Sequence, residues 1–171
     1  DSVCNRNKHP VAGSFDRIEV FTVMTYNMNY GIGPDNKYNV DNVAEVIAAS
    51  GAEIIGLNEV DYRLYRTNFN RQVRILADNL KMNYAYGPNV KTGWGSYGNA
   101  ILTTYQIIKS KNIRLPGKLF QEPRGLLCNT LLLPDGSRLS VLVTHLATDY
   151  EMRQKQLEYI NKIISDLNYP F

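Results

Sequence analysis

The sequence has few of the residues on which disulfide-rich and zinc-stabilised proteins depend. Its 171 residues include only two cysteines and two histidines. Cys4 lies in a polar stretch and Cys128 in an apolar one, so that the pair matches neither a disulfide framework nor a zinc-finger spacing. Cys128 is best interpreted as a small residue of the core.

Long hydrophobic runs and a strong net charge are also missing. No apolar run approaches the roughly 20 residues of a membrane helix, and no charged-then-apolar leader is present at the start. The chain begins with Asp1 and not with Met, which leaves its compartment unknown and export with a removed signal open. The net charge of +3 permits a phosphate-bearing substrate without indicating a nucleic-acid-binding protein.

What remains is enough apolar sequence, 44% of the residues, for the core of one α/β domain. Asn39 and Gly51 bound a predicted first helix, and a second amphipathic helix is predicted over 73–80. A third helix is predicted to begin with a capping box at Thr148, and its apolar stripe consists of Tyr150, Leu157, Ile160, Ile164 and Leu167. Strand patterns occupy the ranges 18–27, 53–61, 84–88, 99–104, 106–115, 126–133 and 139–145.

Polar side chains stand where two of these strands end. Asn27 closes the first strand, and Glu59 and Asp61 close the second, with one helix between the strands. If the two strands are parallel, Asn27 and Glu59 meet at one edge of the sheet, where α/β proteins gather active-site groups. Carboxylates there suit a hard metal ion. The alternative is that both acids are the solvated end of a strand.

Two irregular segments follow the second strand. The first, 61–69, mixes arginines with aromatic residues and can grip phosphate, with Arg63 as the predicted substrate contact, or can simply pack on the domain. The second, 93–98, has the glycine spacing of a dinucleotide fingerprint. Because a strand pattern and not a helix follows it, the fingerprint is rejected, and a flexible loop beside a site is predicted.

Five segments, taken together and in order, resemble the endonuclease/exonuclease/phosphatase superfamily of deoxyribonuclease-type, metal-dependent phosphoesterases. They are Val-Met-Thr-Tyr-Asn at 23–27, Ile-Ile-Gly-Leu-Asn-Glu-Val at 54–60, Tyr-Gly-Asn-Ala-Ile-Leu at 97–102, Glu-Pro-Arg-Gly at 122–125 and Val-Thr-His-Leu at 143–146. The resemblance implies an α/β fold in which a two-sheet sandwich is flanked by helices in four layers, α/β/β/α.

The resemblance also implies roles for individual residues. Glu59 matches the glutamate that binds a divalent metal, usually Mg²⁺ with Mn²⁺ possible, and Asn27 matches the asparagine beside that metal. His145 matches a catalytic histidine that contacts the scissile phosphate. Asn99 and Arg124 lie in motifs that border the site and bind substrate. Asn58 departs from the pattern, in which glutamine is more usual.

Members of this superfamily continue into Gly-Asp-x-Asn and Ser-Asp-His motifs, and neither occurs in this sequence. The expectation is therefore an irregular leader over 1–16 and the N-terminal part of one domain over 17–171, truncated before the second sheet is complete. The strands 21–27 and 139–146 are apolar on both faces and are expected to need a missing C-terminal half or another chain to cover them. This segment alone is expected to be inactive.

The functional prediction is a divalent-metal-dependent phosphoesterase that acts on a phosphodiester or phosphomonoester. The substrate class stays open among nucleic acid, a phospholipid head group and an inositol phosphate, since a fold does not choose between them. The alternative is a non-catalytic binding or scaffold protein on the same fold. A nucleic-acid-binding module without hydrolysis, built on the arginines of the 61–74 region, is disfavoured by the small charge excess.

Overall fold

Two β-sheets lie face to face and form the framework of the protein. The computed structural model describes residues 4–6 and 20–165. Its strands are β1 (Cys4–Arg6), β2 (Val23–Asn27), β3 (Ile54–Tyr62), β4 (Asn83–Thr92), β5 (Gly95–Thr103), β6 (Gln106–Arg114), β7 (Gly125–Leu132) and β8 (Arg138–Thr144). The first sheet has the order β1-β4-β5-β3-β2 and the second the order β6-β7-β8. β2 and β3 are parallel, as the strand-helix-strand order predicted.

Three helices flank these sheets: α1 (Val40–Ser50), α2 (Gln72–Leu80) and α3 (Tyr150–Ser165). The Asn39 side chain caps α1 by accepting hydrogen bonds from the backbone N–H groups of Asp41 and Asn42, at 3.0 and 3.3 Å. Gly51 ends the helix in the left-handed conformation, with φ 64°. Both ends of α1 therefore lie where the sequence placed them, because local capping chemistry determines them.

The strands alternate their side chains between two cores, which produces the four predicted layers. On the helix side of the first sheet, Ile55, Leu57 and Leu102 pack with Ile47 of α1 and Leu76 of α2. The other face of that sheet packs against the second sheet through a core of Ile54, Ala85, Ile101, Leu127, Leu131 and Val143. Ile160 of α3 packs on the outer face of the second sheet beside Leu126. The order of layers is thus α/β/β/α.

The two strands that were expected to need an outside partner are covered to different extents by the described residues. In β8, Val143 packs on the first sheet and Leu142 lies on the α3 side, but β8 is an edge strand and most of its residues are only half-buried. In β2 only one face is covered, and the need for an outside partner stays a prediction for both strands. Met24 and Tyr26 pack on the helix-side core, whereas Val23 is 59% exposed. β2 is an edge strand of the first sheet, so that it contacts only β3 along its length.

α3 begins one residue later than predicted and buries part of the predicted stripe. The carboxylate of Asp149, and not Thr148, accepts the backbone N–H of Met152 at 3.0 Å. Tyr150 and Leu157 are exposed, whereas Ile160 and Ile164 of the predicted stripe pack in the core. Met152 and Gln156 complete the buried face. The polar Gln156 is the member of this face that a hydrophobic pattern does not indicate. Leu167, the predicted end of the stripe, lies outside the described residues.

Gln156 can be buried because both ends of its amide are bonded. Its Oε1 accepts from the backbone N–H of Ala147 at 2.9 Å, and its Nε2 donates to the carbonyl of Pro116 at 2.8 Å. Such pairing removes the cost of burying a polar group. No helix among the described residues is both long and apolar enough to cross a membrane.

Two other segments differ from the sequence prediction. Within the predicted irregular leader, Cys4–Arg6 form a short strand that pairs antiparallel with β4, and the other leader residues lie outside the described ranges. The predicted flexible loop over 93–98 is instead a tight hairpin, since β4 ends at Thr92 and β5 begins at Gly95. The hairpin confirms that the glycine spacing there is not a dinucleotide fingerprint.

Candidate functional site

A bulge in β3 presents Glu59 at the edge of the first sheet. The register of β3 against β5 shifts between Leu57 and Val60, and Glu59 has a positive φ of 57°. Leu57 and Val60 both point into the helix-side core. In a regular strand the side chain of residue 59 would follow Leu57 to that face. The bulge therefore inserts Glu59 as an extra residue and frees its carboxylate from the core.

The parallel pairing of β2 with β3 brings Asn27 beside this carboxylate. Asn27 is in register with Asn58, and its Nδ2 donates to Oε1 of Glu59 at 3.0 Å. Its Oδ1 accepts the backbone N–H of Asn29 at 3.0 Å, which holds the following loop. Asn27 is thus bonded on both sides of its amide. It fixes the orientation of Glu59 at the strand end.

Arg124 and His145 reach the same edge from the second sheet. Arg124 directly precedes β7 and His145 directly follows β8, and these strands are antiparallel neighbours. Nη1 of Arg124 lies 3.2 Å from Nδ1 of His145 and 2.8 Å from Oε1 of Glu122. Nδ1 of His145 lies 3.9 Å from Oε1 of Glu59. Asn27, Glu59, Glu122, Arg124 and His145 form what we call the polar cluster.

Asn58 and Asn99 tie the two sheets together beneath the polar cluster. Nδ2 of Asn58 donates to Oδ1 of Asn99 at 3.0 Å and to the carbonyl of Thr144 at 3.1 Å. Asn99 donates in turn to the carbonyl of Gly125 at 3.0 Å. Asn99 is buried and supports the strand ends that carry Arg124 and His145. Sequence reasoning noted Asn58 only as a departure from the expected glutamine and assigned it no role.

The predicted site residues divide into three groups in the structure. Glu59, Asn27, Arg124 and His145 lie together, and Asn99 lies beneath them. Arg63 is exposed, and none of the described contacts joins it to the polar cluster. Its role as a substrate contact stays a prediction.

Asp61, for which the sequence left a metal-binding carboxylate and a solvated strand end open, is fully buried and bonded to Arg66. The two carboxylate oxygens of Asp61 accept hydrogen bonds from Nε and Nη2 of Arg66, each at 2.7 Å. This pairing also raises the pKa of Arg66.

The contact with Arg124 determines the tautomer of His145. A guanidinium has only donors, so that Nδ1 of His145 must accept, and the ring proton lies on Nε2. Burial lowers the pKa of His145, and the positive charge of Arg124 lowers it further, while Glu59 and Glu122 offset part of this shift. His145 is therefore a neutral imidazole at pH 7 that offers one N–H donor.

Aromatic rings line a cavity of about 460 Å³ on one side of the polar cluster. Tyr30 and Tyr97 lie with ring centroids 5.4 Å apart, and the Arg66 guanidinium sits 3.5 Å from the centre of the Tyr30 ring. Burial and a hydrogen bond with Tyr30 raise the pKa of Tyr97, which keeps its hydroxyl protonated. Glu122 of the polar cluster also lines this space, which we call the aromatic cavity.

A second cavity, of about 360 Å³, is lined by Pro123 and Arg124, the two residues that follow Glu122. Its charged lining residues are Lys91, Arg114 and Arg124, and its polar ones are Asn89 and Asn112. We call it the cationic cavity. The arginines and aromatic residues of the segment 61–69 indicated part of the aromatic cavity, which Tyr65 and Arg66 line. No sequence pattern indicated the cationic cavity, because it joins residues from strands that are distant in the chain.

The donor set at the polar cluster can be compared with that of a metal site. Within the described part of the chain, no group of three or more His, Cys, Asp or Glu side chains could hold a metal ion. Mg²⁺ is nevertheless commonly bound through one or two carboxylates, with water and substrate phosphate completing its shell. Glu59 keeps free lone pairs beyond the hydrogen bond from Asn27. It therefore fits a cation held by a single protein carboxylate.

The four layers and the polar cluster at the rim of the paired sheets define a member of the endonuclease/exonuclease/phosphatase superfamily. Residues 18–171 match the family model described as PGAP2IP, C-terminal nuclease-like domain, and the chain belongs to this family. The uncharacterized protein YbhP of Escherichia coli (strain K12) is 27% identical over 158 residues, which cover 86% of this chain. The chain spans 61% of the length of YbhP.

Solved structures show the same fold at low sequence identity. An endonuclease/exonuclease/phosphatase from Beutenbergia cavernae superposes with a TM-score of 0.70 at 22% identity, covering 86% of this chain and 44% of that protein. TDP2 of D. rerio, solved with a single-strand DNA product, superposes with a TM-score of 0.63 at 15% identity, covering 85% of this chain and 55% of that one. The likeness confirms the predicted fold, and the match to the family model confirms the superfamily predicted from the five segments.

Proposed function

We propose that this chain carries part of the active site of a divalent-metal-dependent phosphoesterase. The observation that supports the proposal is the polar cluster, in which groups from β2, β3, the segment before β7 and the end of β8 contact one another. A carboxylate, a neutral imidazole and a guanidinium at one sheet edge are suited to bind a metal-associated phosphate. Because the chain spans only part of its relatives, the activity concerns the whole protein.

Glu59 is the proposed protein ligand of Mg²⁺, and Mn²⁺ suits the same oxygen donor. A divalent ion in this position would neutralise negative charge on the phosphoryl oxygens and polarise the phosphorus for attack. Asn27 contributes by holding the Glu59 carboxylate with the 3.0 Å hydrogen bond to Oε1. Partners of this kind orient a metal ligand and raise its affinity.

His145 is the proposed donor to the scissile phosphate. Its neutral tautomer, fixed by Arg124 at Nδ1, presents Nε2–H to a non-bridging oxygen. Arg124 adds a positive charge beside that oxygen while its own position is held by Glu122. Preorganised donors of this type contribute about 10² to 10³ in rate, because they do not reorient as charge develops.

The proposed substrate is a phosphate ester, and nucleic acid is the class to test first. TDP2 of D. rerio has been solved with a single-strand DNA product, and an aromatic cavity beside a phosphate site suits a base or another flat ring. Phospholipid head groups and inositol phosphates are the other two classes that the sequence left open. All three present a phosphate to the same polar cluster.

The direct test is the hydrolysis of bis-p-nitrophenyl phosphate and of single-stranded DNA by the intact natural protein, with Mg²⁺, with Mn²⁺ and with chelator. Glu59→Gln keeps the shape of the side chain and removes its charge. We expect it to lower kcat/KM about 100-fold or more, because the charged metal ligand is lost. His145→Ala should lower kcat by about 10² to 10³.

Glu45→Gln is the matched control, since Glu45 is an exposed glutamate of α1 outside the polar cluster. It should leave the rate unchanged within a factor of two. Full activity in Glu59→Gln, or activity that chelator does not reduce, would contradict the proposal. Phosphate-ester binding without turnover under every metal condition would favour the scaffold protein that the sequence left as the alternative.

A further inference from the structure

We propose that the cationic cavity binds a second phosphate group of the substrate, so that the enzyme prefers ligands with two phosphates over ligands with one. The inference rests on the proposed function, because it places the first phosphate at the polar cluster. Arg124 connects the two positions. It lines the cationic cavity and contacts His145 of the polar cluster at 3.2 Å.

The charge of the cavity favours an anion. Lys91 and Arg114 are exposed, and among the described residues neither forms an ion pair with an acid. Among the described residues that line the cavity, none is acidic. Lys91 and Arg114 line the cavity together with Arg124, whose charge Glu122 only partly neutralises. Three cations in one cavity attract a doubly charged group such as a phosphate monoester.

Backbone and amide contacts join the strands from which the cationic side chains extend. The backbone N–H of Leu115 donates to the carbonyl of Arg124 at 2.9 Å, which joins the end of β6 to the Arg124 segment. Nδ2 of Asn112 donates to the carbonyl of Pro88 at 3.0 Å and to Oδ1 of Asn89 at 3.1 Å. These bonds attach β6 to the bulged part of β4, from which Lys91 extends. The cavity is therefore built by both sheets.

Asn112 lines the cavity, but not with its side-chain oxygen. Oδ1 of Asn112 is the one buried side-chain atom of the described residues that has no hydrogen-bond partner. It faces Gly87 and Gly125, where an added Cβ would lie 2.7 and 3.1 Å from it, and neither glycine lines the cavity. The affinity for a second phosphate therefore depends on the charges of Lys91, Arg114 and Arg124 and not on this atom.

The test is a binding measurement by calorimetry on the intact protein carrying Lys91→Gln and Arg114→Gln together. The probes are a thymidine dinucleotide with and without a 5′-phosphate, and inositol 1,4-bisphosphate beside inositol 1-phosphate. We expect the double variant to bind one doubly phosphorylated probe about tenfold more weakly, since two charge-assisted contacts are lost. Its singly phosphorylated counterpart should change less than twofold, and the affected pair identifies the source of the phosphate.

Lys109→Gln with Lys111→Gln is the matched control, because both lysines are exposed on β6 and line neither cavity. A comparable loss in this control would assign the effect to net charge and overturn the proposal. An equal change, or none, for singly and doubly phosphorylated probes would also overturn it. Chelator is present throughout, so that binding is measured without hydrolysis. The outcome for the second phosphate site is therefore independent of whether the protein hydrolyses phosphate esters with a metal ion.

Discussion

The aromatic cavity is lined by Glu122 and the cationic cavity by Arg124, and the arginines of the two cavities differ in what already binds them. Arg66 of the aromatic cavity makes two 2.7 Å hydrogen bonds to the buried Asp61 and stacks on Tyr30. Arg114 of the cationic cavity is exposed and forms no ion pair with a described acid. The Arg66 guanidinium therefore stabilises the fold, whereas the Arg114 guanidinium is available to bind a ligand.

The difference shows why an arginine count does not identify a phosphate site. The sequence placed the phosphate-gripping group in the segment 61–69, where arginines alternate with aromatic residues. Within that segment Arg66 forms an ion pair with Asp61. The cations of the cationic cavity that form no ion pair with a described acid come from β4 and β6, where the sequence shows only isolated basic residues. What separates the two kinds of arginine is the buried carboxylate, which has no signature in sequence.

The largest expected effect that tests this difference is on stability. Arg66→Ala leaves the carboxylate of Asp61, which is fully buried, with only Thr67 as a side-chain donor. We expect the free energy of unfolding to fall by about 2 to 3 kcal/mol, which is below the usual value for a buried pair because Arg66 is 43% exposed. Arg114→Ala should change it by less than about 0.5 kcal/mol. Urea unfolding of the intact protein measures both.

A double-mutant cycle separates the ion pair from the packing of the Arg66 side chain. In the Asp61→Asn background no buried charge depends on Arg66, so that the Arg66→Ala loss should shrink by more than about 1 kcal/mol. If the loss is the same in both backgrounds, the stacking on Tyr30 carries the effect. The ion pair with Asp61 would then not be what distinguishes Arg66 from the ligand-binding Arg114.

A smaller effect is expected from displacing Asn89, which lines the cationic cavity. A Cβ at position 125 would lie 2.1 Å from Oδ1 of Asn89, which must move and break its bond with Asn112. We expect Gly125→Ala to lower the free energy of unfolding by about 1 to 2 kcal/mol. It should also remove the preference for the second phosphate. Gly117→Ala, which meets no atom within 4 Å, should do neither.

The sequence predicted those parts of the protein that depend on local chemistry. The ends of α1 follow from an asparagine cap and a glycine, and the parallel β2-β3 pair follows from one helix between two apolar strands. The order of five short segments identified the superfamily, and with it the four layers. Asn27 and Glu59 were expected to meet because parallel strands end at the same edge, and they do meet, at 3.0 Å.

What the sequence could not give depends on partners distant in the chain. The segment around Glu59 reads as a regular strand, and only its pairing with β5 creates the bulge that turns the carboxylate out of the core. Gln156 looks like a surface residue of α3 until the loop carbonyl of Pro116 is placed against it. Asp61 looks solvated until Arg66 folds back over it. In each case a polar group acquired a tertiary partner that local propensity does not encode.

The smallest expected effect concerns Arg63, the remaining basic residue of the segment 61–69 whose role as a substrate contact is predicted from sequence. Arg63 is exposed and has a positive φ of 59°. A single solvated contact with phosphate is worth less than about 1 kcal/mol, so that Arg63→Ala should weaken phosphate-ester binding about two- to fivefold. Stability should change by less than about 0.5 kcal/mol, in contrast to Arg66→Ala. Unchanged affinity would remove Arg63 from the site, whereas a loss of stability like that of Arg66→Ala would make both arginines structural.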